Sequence, residues 1–337
     1  MKRRTLLLGS VLVAAGCAKN GGSPGGDTST LNVGQVSNSI AFLPFYIAEQ
    51  KKLFEGVTLG ERPRLGTGAK VAAALQSGSI DVAGSVMTDA FNLYKTNDQT
   101  RVIGSLVNTY YLDIVAGATM PTAGDTAPVA DRIAALKGKK IGITGPGSGT
   151  EALVKYLFKK GGMDATKDAE LVNLGSDASA ALGALSQRRV DALSFPQPVG
   201  QLAVAAGAGR LYISVAAGDV PEIKSATHGV ILTTQSVLDA KSDAVAAFLR
   251  GIAKAEALVH SDATGTGELL SGYQETMKPE TVQSLVPILQ QEIPESPLPP
   301  EEGYTASATF HQATGLITEV PPYSTIVPTT WINSALA

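Results

Sequence analysis

The strongest constraint on the fold is a rhythm that occurs twice. Short apolar runs of strand type end in Gly-, Ser- or Asn-rich turns, and each turn leads into a segment with helical spacing of apolar residues. In the first pass, 31–36 alternates as a strand and ends at Ser37-Asn38-Ser39. Ser39 is placed to cap a helix over 40–52, in which Phe42, Leu43, Phe45, Tyr46 and Ile47 recur and Pro44 fits a first turn. A strand over 57–64 leads to Gly66-Thr67-Gly68 and a helix. A strand over 80–84 leads to a helix over 88–95, and strands over 102–107 and 112–116 close the pass. The second pass reads strand 139–144, turn 145–150, helix 151–160, strand 170–174, helix 178–187, strand 190–195, helix 198–206 and strand 210–215. Such alternation predicts an α/β chain of mostly parallel sheets flanked by helices. Two passes predict two similar lobes, with 119–136 as the first crossing and a strand over 229–233 leading back. From 236 the pattern is mainly helical, interrupted by Pro294, Pro297, Pro299 and Pro300.

The N-terminus reads as an address. Lys2, Arg3 and Arg4 precede an apolar run over 5–15, too short for the roughly 20 residues of a membrane span. It is therefore the apolar region of an export signal. Ala14-Ala15-Gly16-Cys17 resembles a bacterial lipobox, whose Cys is acylated and becomes the mature N-terminus, although Ala14 stands where Leu is usual. An ordinary cleaved signal is the alternative, and the Arg3-Arg4 pair leaves Sec and twin-arginine export both open. Residues 18–30 are rich in Gly, Ser, Asn and Asp and read as a flexible tether. The expected division is a signal over 1–16, a lipidated Cys and tether over 17–30, lobe I over 31–118 with 228–337, and lobe II over 119–227.

Composition removes several function classes. The 337 residues hold 27 Lys plus Arg and 30 Asp plus Glu, which leaves no basic footprint for nucleic acid. One Cys excludes a disulfide framework and a Cys-based zinc site within the chain. His228, His260 and His311 are too scattered in sequence to imply a metal centre. There is no His-Glu-x-x-His, no phosphate loop ending in Gly-Lys-Ser/Thr and no Gly-x-Ser-x-Gly elbow. Gly145, Gly147 and Gly149 follow a strand, but Thr150 breaks the dinucleotide fingerprint. No cofactor is expected.

A series of short motifs then becomes recognisable: 41–48 followed by Lys52-Leu53-Phe54, Gly66-Thr67-Gly68, 75–83, 136–142, Gly147-Ser148-Gly149-Thr150, and 185–192. Their order and spacing resemble the solute-binding lipoproteins of ATP-binding-cassette importers, in the nitrate, sulfonate, taurine and thiamine-precursor group. The resemblance covers about 31–235. It implies a two-lobed periplasmic-binding-protein-like fold of type II with the ligand cleft between the lobes and two crossovers. It also implies C-terminal helices packed mainly on the first lobe. The expected partners are a small solute, a permease with its ATPase, and the membrane through the lipid on Cys17. The chain is expected to act as a monomer, outside the cytoplasm, without catalysis. The sensor of a ligand signal and, on the same fold, a thiamine-pyrimidine-synthase-like enzyme are the alternatives.

Ligands of open α/β sheets sit beyond the C-terminal strand ends, against helix N-termini that offer free N–H groups and partial positive charge. Four stretches qualify: Ser37, Asn38 and Ser39; Thr67 and Gly68; Thr88 and Asp89; and Gly147, Ser148, Gly149 and Thr150. Ser39 and Thr150 could equally serve only as caps. Pro196 and Gln197 follow the 190–194 strand, where the resembling family often carries a Glu-Pro or similar pair. Tyr110 and Tyr111 precede the first crossing, His228 lies near the return, and Phe42 belongs to the first motif. Asp89 and Glu151 are awkward for a purely anionic ligand and would suit an amino or heterocyclic N–H. Sulfonate, nitrate, carboxylate and pyrimidine-type solutes all remain open.

Overall fold

Backbone N–H and C=O groups of the short apolar runs must find partners, and they do so in two separate sheets. The computed structural model describes residues 28–337 other than Thr122 and Asp125. The expected export signal, Cys17 and most of the expected tether lie outside the described residues. The strands are β1 (Thr30–Leu31), β2 (Val33–Gln35), β3 (Thr58–Leu59), β4 (Val82–Val86), β5 (Thr100–Val107), β6 (Leu112–Gly117), β7 (Lys140–Ile143), β8 (Glu170–Asn173), β9 (Ala192–Pro196), β10 (Gly209–Ser214) and β11 (Gly229–Thr234). The first sheet has the order β2-β4-β11-β5 and the second β10-β6-β9-β7-β8.

Strand direction follows from the crossings. β2 runs parallel to β4, whereas β11 is antiparallel to both β4 and β5. β7 runs parallel to β8 and β9, whereas β6 is antiparallel to β9 and β10. Each sheet thus contains one opposed strand, and each is the strand by which the chain enters that sheet after crossing from the other.

Two expectations are corrected here. Residues 112–117 were placed with the first half, but β6 hydrogen-bonds within the second sheet, so the chain crosses at 108–111, ahead of the expected boundary at 118. The strand expected over 57–64 contracts to β3, which pairs with β1 in a two-stranded ribbon, and to an isolated bridge between Gln35 and Arg64. Pro63, without an N–H to donate, precedes that bridge.

The helices are α1 (Leu43–Gln50), α2 (Gly68–Ser77), α3 (Met87–Thr96), α4 (Val129–Ala134), α5 (Gly149–Lys160), α6 (Ala165–Asp168), α7 (Ala178–Ser186), α8 (Val199–Ala205), α9 (Gln235–Ser261), α10 (Ala263–Tyr273), α11 (Pro279–Glu292), α12 (Glu301–Thr314), α13 (Tyr323–Ile326) and α14 (Thr329–Leu336). Their starts use local chemistry. Thr67 Oγ1 accepts the Lys70 N–H at 3.3 Å, and Ser148 Oγ accepts the Glu151 N–H at 3.3 Å. Ser39 caps a short 3₁₀ turn, Ile40–Phe42, that precedes α1. Lys241 departs from helical geometry and kinks α9. Its ammonium donates to Asp81 Oδ2 at 2.9 Å and to the Thr30 carbonyl at 3.0 Å, tying α9 to β1 and to the residue that precedes β4.

Apolar packing separates in the same way as the hydrogen bonds. One core joins β2, β4, β5, β11, α1 to α3 and most of the tail. Within it Phe248 meets Phe45 edge-on at 5.6 Å and stacks on Phe54 at 5.2 Å. Burying each such ring is worth about 1.5–3 kcal/mol. A second core surrounds Ile114, Ile141, Leu153, Phe158 and Ile213. One tail helix reaches both: Tyr304 of α12 packs in the first core and Phe310, two turns on, in the second.

Candidate functional site

The C-terminal ends of β2, β4, β7, β8 and β9 converge on a cleft between the sheets. A cavity of about 610 Å³ lies there, and a chamber of about 570 Å³ adjoins it. Val36, Ser37, Gly66, Ser176 and Pro196 line both, so the two are continuous. The size suits a small organic solute.

The wall from the second sheet is the turn from β7 into α5. Ser148 Oγ lies 2.7 Å from Thr150 Oγ1, which accepts the Thr144 N–H at 2.9 Å. Gly147 N–H donates to Glu151 Oε2 at 2.6 Å, and Glu151 also pairs with Lys155 at 3.0 Å. Ser194 Oγ donates to the Thr150 carbonyl at 2.9 Å, and Tyr110 Oη donates to the Gly149 carbonyl at 2.7 Å. The turn is therefore fixed from behind before any ligand arrives. Glu151, expected to suit a ligand N–H, is instead engaged by its own loop and by Lys155.

The facing wall comes from α2 and α3. Asp89 stands in the first turn of α3, where its Oδ2 accepts from Ser85 Oγ at 2.7 Å. Its carboxylate rests directly over Gly68: a Cβ at that glycine would stand 1.8 Å from Asp89 Oδ1. Burial pushes the carboxyl up to about 6, against the favourable hydrogen bond from Ser85. Asn92, one turn along the same helix face, donates from Nδ2 to the Gly147 carbonyl at 3.1 Å and so joins the two walls.

His228, at the return crossing, closes the floor. It is 2% exposed, and its ring meets those of Tyr110 at 4.4 Å and Tyr111 at 5.2 Å, both edge-on. Its Nδ1 has no hydrogen-bond partner, and burial drives its pKa down to about 3, so the ring is neutral. The backbone of Gly149 packs against it; a Cβ there would lie 2.7 Å from His228 Cε1.

The adjoining chamber is lined by Asn38, Ser39 and Gln197 together with the exposed cations Arg64 and Lys278. Ser39 Oγ donates to the Gln197 carbonyl at 3.0 Å and lies 3.2 Å from Tyr111 Oη. Gln197 Nε2 donates to Glu292 Oε1 at 3.1 Å, while its own Oε1 is unpartnered. Ser39 and Gln197 thus link the two halves of the chain behind the cleft.

The structure brings together Ser37, Thr67, Gly68, Asp89, Gly147, Ser148, Gly149, Thr150, Pro196 and His228 around the larger cavity. Three expected residues lie elsewhere. Phe42 is fully buried beneath β4, against the space a Gly84 Cβ would fill. Thr88 faces away from the cavity, its Oγ1 2.6 Å from His311 Nε2. His311 Nδ1 sits 2.7 Å from the Ser307 carbonyl, so its Nδ1–H donates there and the Thr88 hydroxyl donates to Nε2. Tyr110 supports the Gly149 turn from below, and its neighbour Tyr111 lines the cavity instead. Gln76, Asn92, Thr144 and Asn173 also line it and were not picked out. The strand-end rule points to Thr144 and Asn173, and helical spacing from Asp89 points to Asn92.

Among the described residues no group of His, Cys, Asp or Glu is placed to hold a metal ion, and no helix is long and apolar enough to cross a membrane.

Solved structures share the architecture. The ligand-binding component of an ABC-type import system from Staphylococcus aureus, solved with zinc bound, is 16% identical, with 91% of this chain and 99% of that chain covered at a TM-score of 0.73. The nitrate-binding protein NrtA of Synechocystis PCC 6803 is 14% identical over 92% and 88%, at 0.71. The alkanesulfonate-binding protein SsuA of Xanthomonas axonopodis pv. citri, bound to MOPS, is 19% identical over 89% and 98%, at 0.70. A search of curated proteins finds no significant match. Residues 27–268, all of both sheets and the whole of the larger cavity wall, match the NMT1-like family, and the chain belongs to that family.

Proposed function

We propose that this chain is the solute-binding component of an ATP-binding-cassette importer. It takes a small solute into the cavity between the two sheets, closes on it, and presents the closed form to a membrane permease and its ATPase. The observation that carries this reading is the cavity itself. It lies at C-terminal strand ends, is walled by hydroxyl, amide and backbone groups, and is bridged at its edge by Asn92 and Gly147. Family membership and the binding roles named for the Staphylococcus, Synechocystis and Xanthomonas proteins support it. Affinity would come from desolvated polar groups already held in place, and closure from hinge motion at the crossings.

In this reading the lobes are 28–107 with 229–337, and 112–214. The protein is exported and held to the cell envelope by lipid on Cys17, acts as a monomer and uses no cofactor. In this reading it binds rather than catalyses. A thermal-shift screen of the purified protein against a metabolite extract and its fractions tests the reading. A solute that binds only the folded state raises the melting temperature. No shift by any fraction, or turnover of a solute that does bind, would overturn it.

A further inference from the structure

The charge on the cavity walls bears on the class of solute, on the assumption that the cavity is the solute site. Among the described residues Asp89 is the only charged side chain lining the larger cavity; Arg64 and Lys278 line the adjoining chamber and are exposed. The carboxylate also occupies the space over Gly68, at the start of α2, where helix N–H groups would otherwise favour an incoming anion. The floor holds an uncharged His228 with an unpartnered ring nitrogen. An anionic solute in this cavity would meet a like charge and no countercharge.

We propose that the larger cavity selects an organic cation whose N–H groups donate to the Asp89 carboxylate, of amidine or guanidine type, and that Asp89 excludes sulfonates, carboxylates and nitrate. Asp89 already accepts from Ser85 Oγ and from the Val86 backbone, yet its two oxygens offer about four acceptor positions. Near neutral pH the group is largely ionised, since its pKa of about 6 lies below that range. A donor cation would also compensate the desolvation that raises it.

Benzamidine and benzoate give matched probes of similar shape and opposite charge, with nitrate and ethanesulfonate as further anions and tetramethylammonium as a cation without N–H. Calorimetry on the wild-type protein should show benzamidine bound at least 10-fold more tightly than benzoate or either other anion, and more tightly than tetramethylammonium. Asp89→Asn should weaken benzamidine at least 10-fold while its melting temperature reports an intact fold. The wild-type comparison stands even if the variant fails to fold. Anions bound as well as benzamidine, or no probe of either class bound, would overturn the inference. In either case a shift by a metabolite fraction would leave the solute-binding reading in place, whereas the absence of any shift would sink both.

Discussion

At the scale of single residues, the site rests on close approaches that only glycine allows. Gly149 is one case, since any Cβ would press on His228 Cε1 at 2.7 Å and on Thr88 Oγ1 at 3.1 Å. Gly149→Ala should therefore push the imidazole toward the cavity, cost about 1–3 kcal/mol of stability and weaken solute binding. Gly183→Ala, in α7 with nothing within 4 Å, should be neutral or stabilising by up to about 1 kcal/mol. Denaturant titration of the two variants checks this, and equal effects would show that packing at Gly149 is slack. The same scale shows why adjacent residues exchanged roles. Tyr110 and Tyr111 look alike in sequence, but neighbouring side chains in extended chain point to opposite sides, so one supports the turn and the other meets the cavity. Phe42 lies in a run whose burial has the same period whether a residue faces core or ligand.

At the scale of elements, the order of strands and helices was legible almost throughout, because strand and helix periods differ and Ser39 caps where expected; Thr150, expected as a cap, lies inside α5, which Ser148 caps instead. Strand direction was not. Alternation says nothing about partners, and β6 and β11 acquire theirs from strands distant in sequence. Lys241, at the kink in α9, pairs with Asp81, 160 residues away, and no local signal contains that partnership. Element ends also carry a pH dependence. Glu292 closes α11 and accepts from Gln197, which follows β9. Burial, and then the charge of nearby Asp113, raises its pKa to about 8, with Gln197 and Lys224 acting in the opposite direction. A carboxyl raised in the folded state contributes stability that is complete below its unfolded pKa and is lost as pH rises through the folded value. Glu292→Gln keeps the acceptor and removes the proton. Between about pH 5 and 8 the wild type should lose up to about 1.4 kcal/mol per pH unit relative to this variant. Asp113, itself raised to about 7 by burial, is present in both proteins. Chemical denaturation at pH 5, 6.5 and 8 measures the difference, and a constant offset would contradict the assignment.

At the scale of the whole molecule, closure and stability are separable. The bond from Asn92 to the Gly147 carbonyl joins α3 to the turn before α5 across the edge of the cavity, and neither wall depends on it for its own packing. Asn92→Ala should speed release of a bound solute about 2- to 10-fold, the worth of one hydrogen bond, with the unfolding midpoint of the free protein nearly unchanged. Stopped-flow release kinetics would show it, and a large loss of free-protein stability would place the bond in the fold instead. The tail imposes a further condition on such movement. Because α12 sets Tyr304 into one half and Phe310 into the other, it works as a splint laid across the joint. The halves cannot swing apart unless the phenyl ring of Phe310 slips in its aromatic seat or the splint bends, so the width of the gape is governed some distance from the mouth.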